Sequence, residues 1–435
     1  MKFFFKILIA FLIVFSWRIP YLYNTVFLSI LITTVYYIFN NKRITFTYFF
    51  QRYTAVILIG TVAIAFVIFI ITLFHNTNIM CNIQKRMWVV LSMLWAMIYV
   101  FPLLIEDNKK NAYEEICTII CYAFALQGLI HLSGFLYEPL GEFLFEMKPE
   151  GYKEKVLNPR FNVAKFRLYC LSGIVFVELV AAYGVAFILF FRLQLNNSSH
   201  RYLKGWVRYI VLFFLITGTS LAGRTGFVGL GLGILFWIFF SYRKIFSFLE
   251  KNIIYIIISI VVLLFSYSYL LPVNQRNMLQ TEVFPFAFEW YFNYEETGTL
   301  NVRSLEATGT QYYYLSDETL LWGHGETFER ANFPYPPSDA GYMNNLIFGG
   351  IPYLVCLIIY QSLYFISPIS RARQKNTFIN RVDIALFLLF FFYILLLSYK
   401  TTAIGTIQIV ETLLLAAGLS YLIQHYSQNQ NESLS

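Results

Sequence analysis

The chain has 435 residues, of which 58% are hydrophobic and only 13% are charged, and its formal net charge is +8. Soluble domains carry about 25% charged residues, so this composition excludes an ordinary soluble protein and favours a membrane protein. Aromatic residues make up 20% of the chain, which suits the aromatic belts of membrane–water interfaces. Because the basic residues are spread over short loops, we expect no nucleic-acid partner.

The first seventeen residues, MKFFFKILIAFLIVFSW, combine a basic start with an apolar run, as a signal peptide does. They lack an A-x-A cleavage site, and a second apolar run follows almost at once. We therefore interpret them as a retained first membrane span.

Twelve apolar stretches have about the length, roughly 20 residues, that crosses a bilayer. They lie at about 3–18, 21–39, 53–74, 88–105, 116–136, 168–191, 207–222, 226–241, 253–271, 346–367, 383–399 and 404–423. We therefore predict an all-α polytopic membrane protein with about 12 transmembrane helices, forming a single integral membrane domain over residues 1–435.

The basic residues orient these spans. With the N-terminus in the cytoplasm, the inner segments hold most of the lysines and arginines, as the positive-inside bias requires. These residues are Lys42, Arg43, Arg52, Lys109, Lys110, Arg192, Arg201, Lys204, Arg208, Arg243, Lys244, Lys251, Arg371, Arg373, Lys375 and Arg381. Both ends are then cytoplasmic, with residues 424–435 as a short polar tail.

Two outer segments, 137–167 and 272–345, are too long to be turns. The second is a large loop directly before the third-last helix, and it is rich in aromatic residues, glycine and proline, as in TEVFPFAFEWYFNYEE at 281–296 and WGHGE at 322–326. Its aromatic faces can stack on sugar rings or lie in the membrane interface.

The first outer segment departs from the charge bias because it holds six basic residues, and basic residues outside call for an anionic partner. Glutamates spaced by four, from Glu138 to Glu154, would share one helix face and could pair with some of them. Arg160, Lys165 and Arg167 have no acidic neighbour in sequence.

Ionisable residues inside membrane spans indicate function by default. The candidates are Arg224, Glu178, His131, Glu411 and Lys400. Structural ion pairs are the alternative for Glu178 and Glu411, a hydrogen-bonded core position for His131, and a snorkelling side chain for Lys400.

Arg224 stands apart because it lies in GTSLAGRTGFVGLGLG, a tight link of small residues between two short spans. Small residues allow close backbone approach, and a guanidinium offers five donors suited to a phosphate. We predict a functional role for Arg224 on the outer side, next to both long loops.

Several motifs resemble the O-antigen and capsular polysaccharide polymerases, which belong to the superfamily that includes the O-antigen ligases. They are the SLAGRTG turn, SDAGYMNNLIFGGIPYL at 338–354, WGHGE at 322–326 and RLYCLSG at 167–173. In ligases a histidine typically stands where Asp339 stands here, about eleven residues before Gly350, so the resemblance points to a polymerase. An Arg-x10-Gly spacing reported for some polymerases occurs at Arg330–Gly341.

The resemblance implies an enzyme of the bacterial cytoplasmic membrane that joins repeat-unit oligosaccharides attached to polyprenyl diphosphate. It implies that Arg224, with Arg160 and Arg167, stabilises the leaving diphosphate. Asp339, or secondly Glu178, would be the catalytic base, and Lys165, Arg330 and His324 would bind substrate. Further expected partners are membrane lipid, a chain-length regulator and a flippase.

No cofactor or metal is expected, because the five cysteines show no ligand spacing and the donor itself carries the energy of a diphosphate bond. Three alternatives stay open: an O-antigen ligase that uses lipid A core as acceptor, a lipid-linked sugar flippase or transporter, and a non-catalytic assembly factor. Transporters commonly show related halves, which this sequence lacks.

Overall fold

The computed structural model describes seventeen stretches of the chain. They are residues 3–17, 25–39, 51–78, 92–94, 96–105, 109–148, 150–157, 164–173, 176–195, 203–241, 273–298, 309–326, 335, 338, 340–374, 377–403 and 407–432. These stretches are helical and contain no strand, which confirms the all-α prediction for the described part of the chain.

The following helices lie in the described residues before the second long loop. They are α1 (Phe3–Phe15), α2 (Thr25–Phe39), α3 (Arg52–Phe74), α4 (Phe101–Ile105), α5 (Ala112–Leu136), α6 (Glu138–Glu146), α7 (Glu150–Leu157), α8 (Phe176–Leu195), α9 (Val207–Ala222) and α10 (Gly226–Ser241). A π-helical turn, Ala96–Val100, leads into α4, and a 3-10 turn, Lys165–Leu168, lies between α7 and α8.

Seven further helices follow. They are α11 (Val273–Met278), α12 (Phe284–Ala287), α13 (Glu289–Thr297), α14 (Asp317–Trp322), α15 (Gly341–Arg373), α16 (Phe378–Lys400) and α17 (Gln408–Glu432). Helix α17 continues through most of the stretch that the sequence indicated as a polar tail.

In the described part of the chain, five helical segments are long and apolar enough to cross a membrane: Arg52–Phe74, Lys109–Leu136, Phe176–Leu195, Gly341–Arg373 and Phe378–Lys400. Four shorter apolar helices, α1, α2, α9 and α10, coincide with further expected spans. The expected span at 253–271 lies outside the described residues.

The core lies where α5 packs against α1, α8, α9 and α17. Helix α8 is buried along nearly its whole length after the first turn. Aromatic rings fill the centre, with Phe124 meeting both Phe15 and Tyr183 edge-on at centroid distances of 4.9 and 5.0 Å. Helix α3, in contrast, exposes an apolar face that includes Ile59, Val62 and Phe66, as suits contact with lipid.

The predicted spans alternate in direction, which assigns each helix end to one side of the membrane. Contacts between segments distant in sequence join helix ends that are assigned to the same side. At the expected inner end, Lys6 meets Glu115 at 2.5 Å and Arg192 meets Asp383 at 2.7 Å. At the expected outer end, Arg224 meets Glu289, and His75 Nε2 lies 3.0 Å from the Trp322 carbonyl oxygen. The described helices are therefore mutually consistent with the alternation.

The segment 137–167, expected to be an outer loop, is mostly helical in its described part. Helices α6 and α7 divide the glutamate series, so the five glutamates do not lie along one continuous helix face. Lys153 pairs with Glu146 at 2.8 Å and Glu150 at 3.2 Å. Pairing within the segment thus explains part of its positive charge.

The helix expected to begin at 168 begins instead at Phe176, because residues 165–173 form a mostly buried segment in which the 3-10 turn Lys165–Leu168 is followed by an irregular stretch. The backbone carbonyl groups of this segment need hydrogen-bond donors from elsewhere, because the segment does not belong to a long helix that would supply them. The Lys148 ammonium donates to the carbonyl oxygens of Cys170 and Ser172, both at 2.6 Å, and His131 Nε2 lies 2.9 Å from the Phe166 carbonyl oxygen. Buried His131 is therefore a hydrogen-bonded core residue.

Helix α15 begins at Gly341, five residues before the predicted span, and is kinked at Gly349–Gly350. Gly350 has φ +71° and ψ −169°, a backbone region open essentially to glycine alone. The second long loop is hydrogen-bonded to the backbone beside the kink. His324 N donates to the Ile347 carbonyl oxygen at 2.7 Å, and Gly325 N donates to the Phe348 carbonyl oxygen at 2.8 Å.

Candidate anion site

Arg167 lies on the 3-10 turn between α7 and α8. Its Nε donates to the Ala222 carbonyl oxygen at the end of α9, at 3.0 Å. Its guanidinium carbon lies 4.8 Å from the ring centre of Phe176, the first residue of α8, a cation–π distance. Arg167 therefore contacts both α8 and α9.

The buried segment holds that turn in place. Phe166 and Leu168, on either side of Arg167, are fully buried. The contacts from Lys148 and His131 fix the backbone around them. Because its neighbours are anchored, Arg167 is presented at a defined position rather than on a free loop.

Arg224 lies in the turn between α9 and α10, directly after Gly223. A Cβ atom on Gly223 would lie 3.3 Å from Arg167 Nη2 and 3.0 Å from Val180 Cγ2. The absence of a side chain at Gly223 thus lets the Arg167 guanidinium approach the turn that carries Arg224.

The two arginines act on each other electrostatically. Burial, and to a smaller degree the positive charge of Arg224, lowers the pKa of Arg167 to about 10. Arg167 is therefore still protonated at neutral pH, and two neighbouring cations stand at the same end of the bundle. Two forked guanidiniums are well suited to a bidentate anion such as phosphate.

Glu289 forms an ion pair with Arg224. The Arg224 Nη1 group donates to Glu289 Oε2, and the side chains are 21% and 15% exposed. Glu289 begins α13 in the aromatic stretch of the second long loop. The sequence shows an acid among aromatic residues there, but a pair across 65 positions depends on the tertiary fold.

Glu178, the second predicted catalytic base, lies in the first turn of α8 and is exposed. Its helix contributes Phe176 to Arg167 and Val180 to the Gly223 turn. The structure thus places Glu178 on an element that borders the arginine pair.

The small residues around Arg224 serve helix packing more than they leave space. A Cβ on Gly218 would lie 2.2 Å from the Tyr183 hydroxyl oxygen, and one on Gly226 would lie 2.9 Å from the Val180 carbonyl oxygen. The neighbourhood of these glycines is therefore already occupied by α8, and any ligand must approach from the exposed side of Arg224.

Lys165 shares the turn of Arg167 but has different partners. Its ammonium group contacts both carboxylate oxygens of Glu142 at 2.7 Å and lies 4.6 Å from the centre of the Phe145 ring. Tyr169 donates to the same carboxylate at 3.3 Å. The acidic partner that the neighbouring sequence lacked is thus supplied by α6.

His324 belongs to a separate polar cluster at the α15 kink. Its Nε2 lies 3.0 Å from Thr319 Oγ1, which is 2.9 Å from the Tyr335 hydroxyl and 2.8 Å from Ser316 Oγ. Tyr335 stacks on Tyr313 at a centroid distance of 5.7 Å. Burial lowers the pKa of His324, as does His75, while Glu318 acts in the opposite direction.

Three predicted site residues, Asp339, Arg160 and Arg330, lie outside the described residues. Next to Asp339, the Ala340 N–H donates to Ser338 Oγ at 3.0 Å, and Asn344 Nδ2 donates to the Ser338 carbonyl at 2.8 Å. In the described stretches, no three His, Cys, Asp or Glu side chains are grouped as a metal ion would require.

The chain was compared with known protein families, with curated proteins and with solved structures, and none of the three comparisons gave a match. What supports a function is therefore the arrangement of the described residues together with the short motifs of the sequence.

Proposed function

We propose that the protein polymerises oligosaccharide repeat units carried on polyprenyl diphosphate, at the outer face of the cytoplasmic membrane of a bacterium. The observation that carries the proposal is the position of Arg167, which donates to the Ala222 carbonyl oxygen and lies against Gly223, the residue before Arg224, at one end of an apolar helical bundle. Arg167 and Arg224 are two of the three arginines that the family resemblance assigns to the leaving diphosphate.

The reaction makes a glycosidic bond and releases the lipid diphosphate. A hydroxyl of one repeat unit attacks the anomeric carbon of the other, whose bond to the diphosphate oxygen breaks. Negative charge then grows on the leaving group, where guanidinium donors stabilise the transition state most. Arg167 and Arg224 are assigned this role, and Asp339 takes the proton of the attacking hydroxyl.

The membrane arrangement forms part of the proposal. Twelve spans with both ends in the cytoplasm would place the arginine pair and both long segments, 137–167 and 272–345, outside. Contacts that join ends on the same side of the alternation support this arrangement. The aromatic loop would hold the two bulky substrates in line.

Deletion of the gene tests the assignment when the surface polysaccharide is separated by length. A polymerase predicts loss of long chains while a single repeat unit stays attached to the acceptor. Loss of all attached sugar would contradict polymerisation and indicate a ligase or a flippase.

A further inference from the structure

The proposed diphosphate site holds an anion that belongs to the protein. Glu289 contributes its carboxylate to Arg224, and both side chains are mostly shielded from solvent. A shielded charged hydrogen bond is stronger than a fully exposed one. A ligand that needs the Arg224 guanidinium must therefore compete with Glu289.

The segment that carries Glu289 packs against the bundle at the end before Glu289. Val283 is buried, and Met278 and Leu279 pack against the main core. Beyond Glu289, exposed Tyr291 and Tyr294 follow, and α13 ends at Gly298, whose φ is +70°. The Arg224 pair attaches the first residue of α13 to the turn between α9 and α10.

Aromatic side chains flank the carboxylate. Phe284, Phe288, Tyr291 and Phe292 line an open apolar recess on the same segment. When Glu289 is paired with Arg224, this aromatic segment lies over the arginine turn. Release of the pair would free the segment and the guanidinium together.

We propose that Glu289 is an internal competitor at the anion site, which occupies Arg224 at rest and yields it to a diphosphate ligand. The inference rests on the proposed function, since it assumes that the arginines bind the substrate diphosphate. An internal competitor lowers the apparent affinity of every anion by the same factor. This factor equals the fraction of molecules in which the site is open.

Because the loss of apparent affinity is the same for every anion, only anions that bind strongly to the arginines occupy the site. Phospholipid headgroups that carry one phosphodiester charge bind guanidiniums weakly, and the loss keeps them off the site although they surround it. A diphosphate offers more charge and more acceptor oxygens to two forked cations, so it binds despite the loss. Glu289 thereby lowers the occupancy of the site by weakly bound anions, while the ratio of the affinities for different anions stays the same.

Calorimetric titration of the purified full-length protein with inorganic pyrophosphate, and separately with inorganic phosphate, tests the inference. Glu289→Gln keeps the size of the side chain and removes its charge. Glu296→Gln is the matched control, because it removes the same charge from an exposed position of the same helix. Arg224→Ala and Arg167→Ala report on the site itself.

We expect Glu289→Gln to tighten the binding of both anions by a similar factor. If the site is open in about one wild-type molecule in ten, this factor is about tenfold. Glu296→Gln should stay near wild type. In hydrogen exchange, pyrophosphate should increase exchange of residues 289–297 in the wild type, and Glu289→Gln should show the increase without ligand.

Equal affinities for the two glutamine variants would overturn the role of Glu289, and weaker binding by the arginine variants would then still support the proposed function. Wild-type pyrophosphate binding by Arg224→Ala and Arg167→Ala would instead contradict the anion site on which both proposals rest.

Discussion

At the scale of single residues, position on a turn decides what each cation does. Lys165 and Arg167 are two residues apart, yet Lys165 is paired with Glu142 on α6 while Arg167 lies between α8 and α9 beside Arg224. A basic cluster in a sequence therefore contains residues with different tasks. Lys165 is held by Glu142, whereas Arg167 lies against the turn that carries Arg224.

His324 predicts a pH effect on stability. Its pKa is lowered in the folded protein, chiefly by burial, so the unfolded chain binds the proton more readily between that lowered value and the ordinary one of about 6.5. Stability should therefore rise with pH through this window and become level above it.

Thermal unfolding in detergent at pH 5 and pH 7.5 measures the effect. We expect the wild-type midpoint to fall at pH 5, and His324→Gln to reduce the fall by about 1–2 °C. An identical pH dependence in the variant would show that His324 does not contribute.

At the scale of elements, apolar length predicted most helices but not the break before α8. Hydropathy is the same for a buried helix and a buried irregular segment, and residues 165–173 contain the apolar side chains of a span. The break depends on Lys148 and His131, which reach its carbonyls from other helices. Such tertiary hydrogen bonds leave no local pattern in the sequence.

The α15 kink yields an element-scale prediction. A Cβ on Gly350 would lie 2.6 and 2.7 Å from the carbonyl oxygens of Leu321 and Leu320. Gly350→Ala therefore combines backbone strain with a collision against the backbone of α14, and we expect a loss of about 2–4 kcal/mol in stability.

Gly298→Ala is a suitable control, because φ is +70° there but no atom lies within 4 Å of the added Cβ. It should cost about 1 kcal/mol. Comparison of the two unfolding midpoints in detergent separates the cost of the steric clash with α14 from the cost of backbone strain. Equal losses would mean that α14 does not dock at the kink.

At the scale of the whole molecule, the two ends of the bundle hold charge in different ways. The arginine pair at one end is partly exposed, whereas Arg192 and Asp383 at the other are each only 3% exposed and lie 2.7 Å apart. The sequence led us to assign Arg192 to an inner loop, and Asp383 did not stand out as its partner. The inner pair fastens α8 to α16.

Breaking this inner pair should destabilise the bundle strongly. Asp383→Asn leaves Arg192 buried beside a neutral amide, and the expected cost is about 3–5 kcal/mol. The double variant Arg192→Met with Asp383→Leu should unfold closer to wild type, because it removes both charges of the pair. Thermal unfolding in detergent distinguishes the variants.

Glu150→Gln, which removes an exposed partner of Lys153, serves as the control and should leave the midpoint nearly unchanged. If Asp383→Asn behaved like this control, the Arg192 pair would not hold the two helices together.

The candidate site was predictable only in part. Arg224 stood out because charge is rare between two apolar runs, and Arg167 because basic residues outside the membrane break the usual bias. Neither signal shows that the two residues meet. The position of Arg167 beside the Arg224 turn follows from the packing of α8 and α9. The contact of Glu289 with Arg224 follows from the path of the second long loop.

Polymerisation by the purified protein tests the central claim most directly. In liposomes supplied with a repeat unit on polyprenyl diphosphate, the wild type should produce a ladder of longer chains on a gel. Arg167→Ala and Arg224→Ala should each slow the reaction about 100-fold or more, as removal of a transition-state donor does. Lys153→Met, which removes an outer-segment cation away from the site, should keep the wild-type rate. Ladders formed at the wild-type rate by both arginine variants would contradict the account.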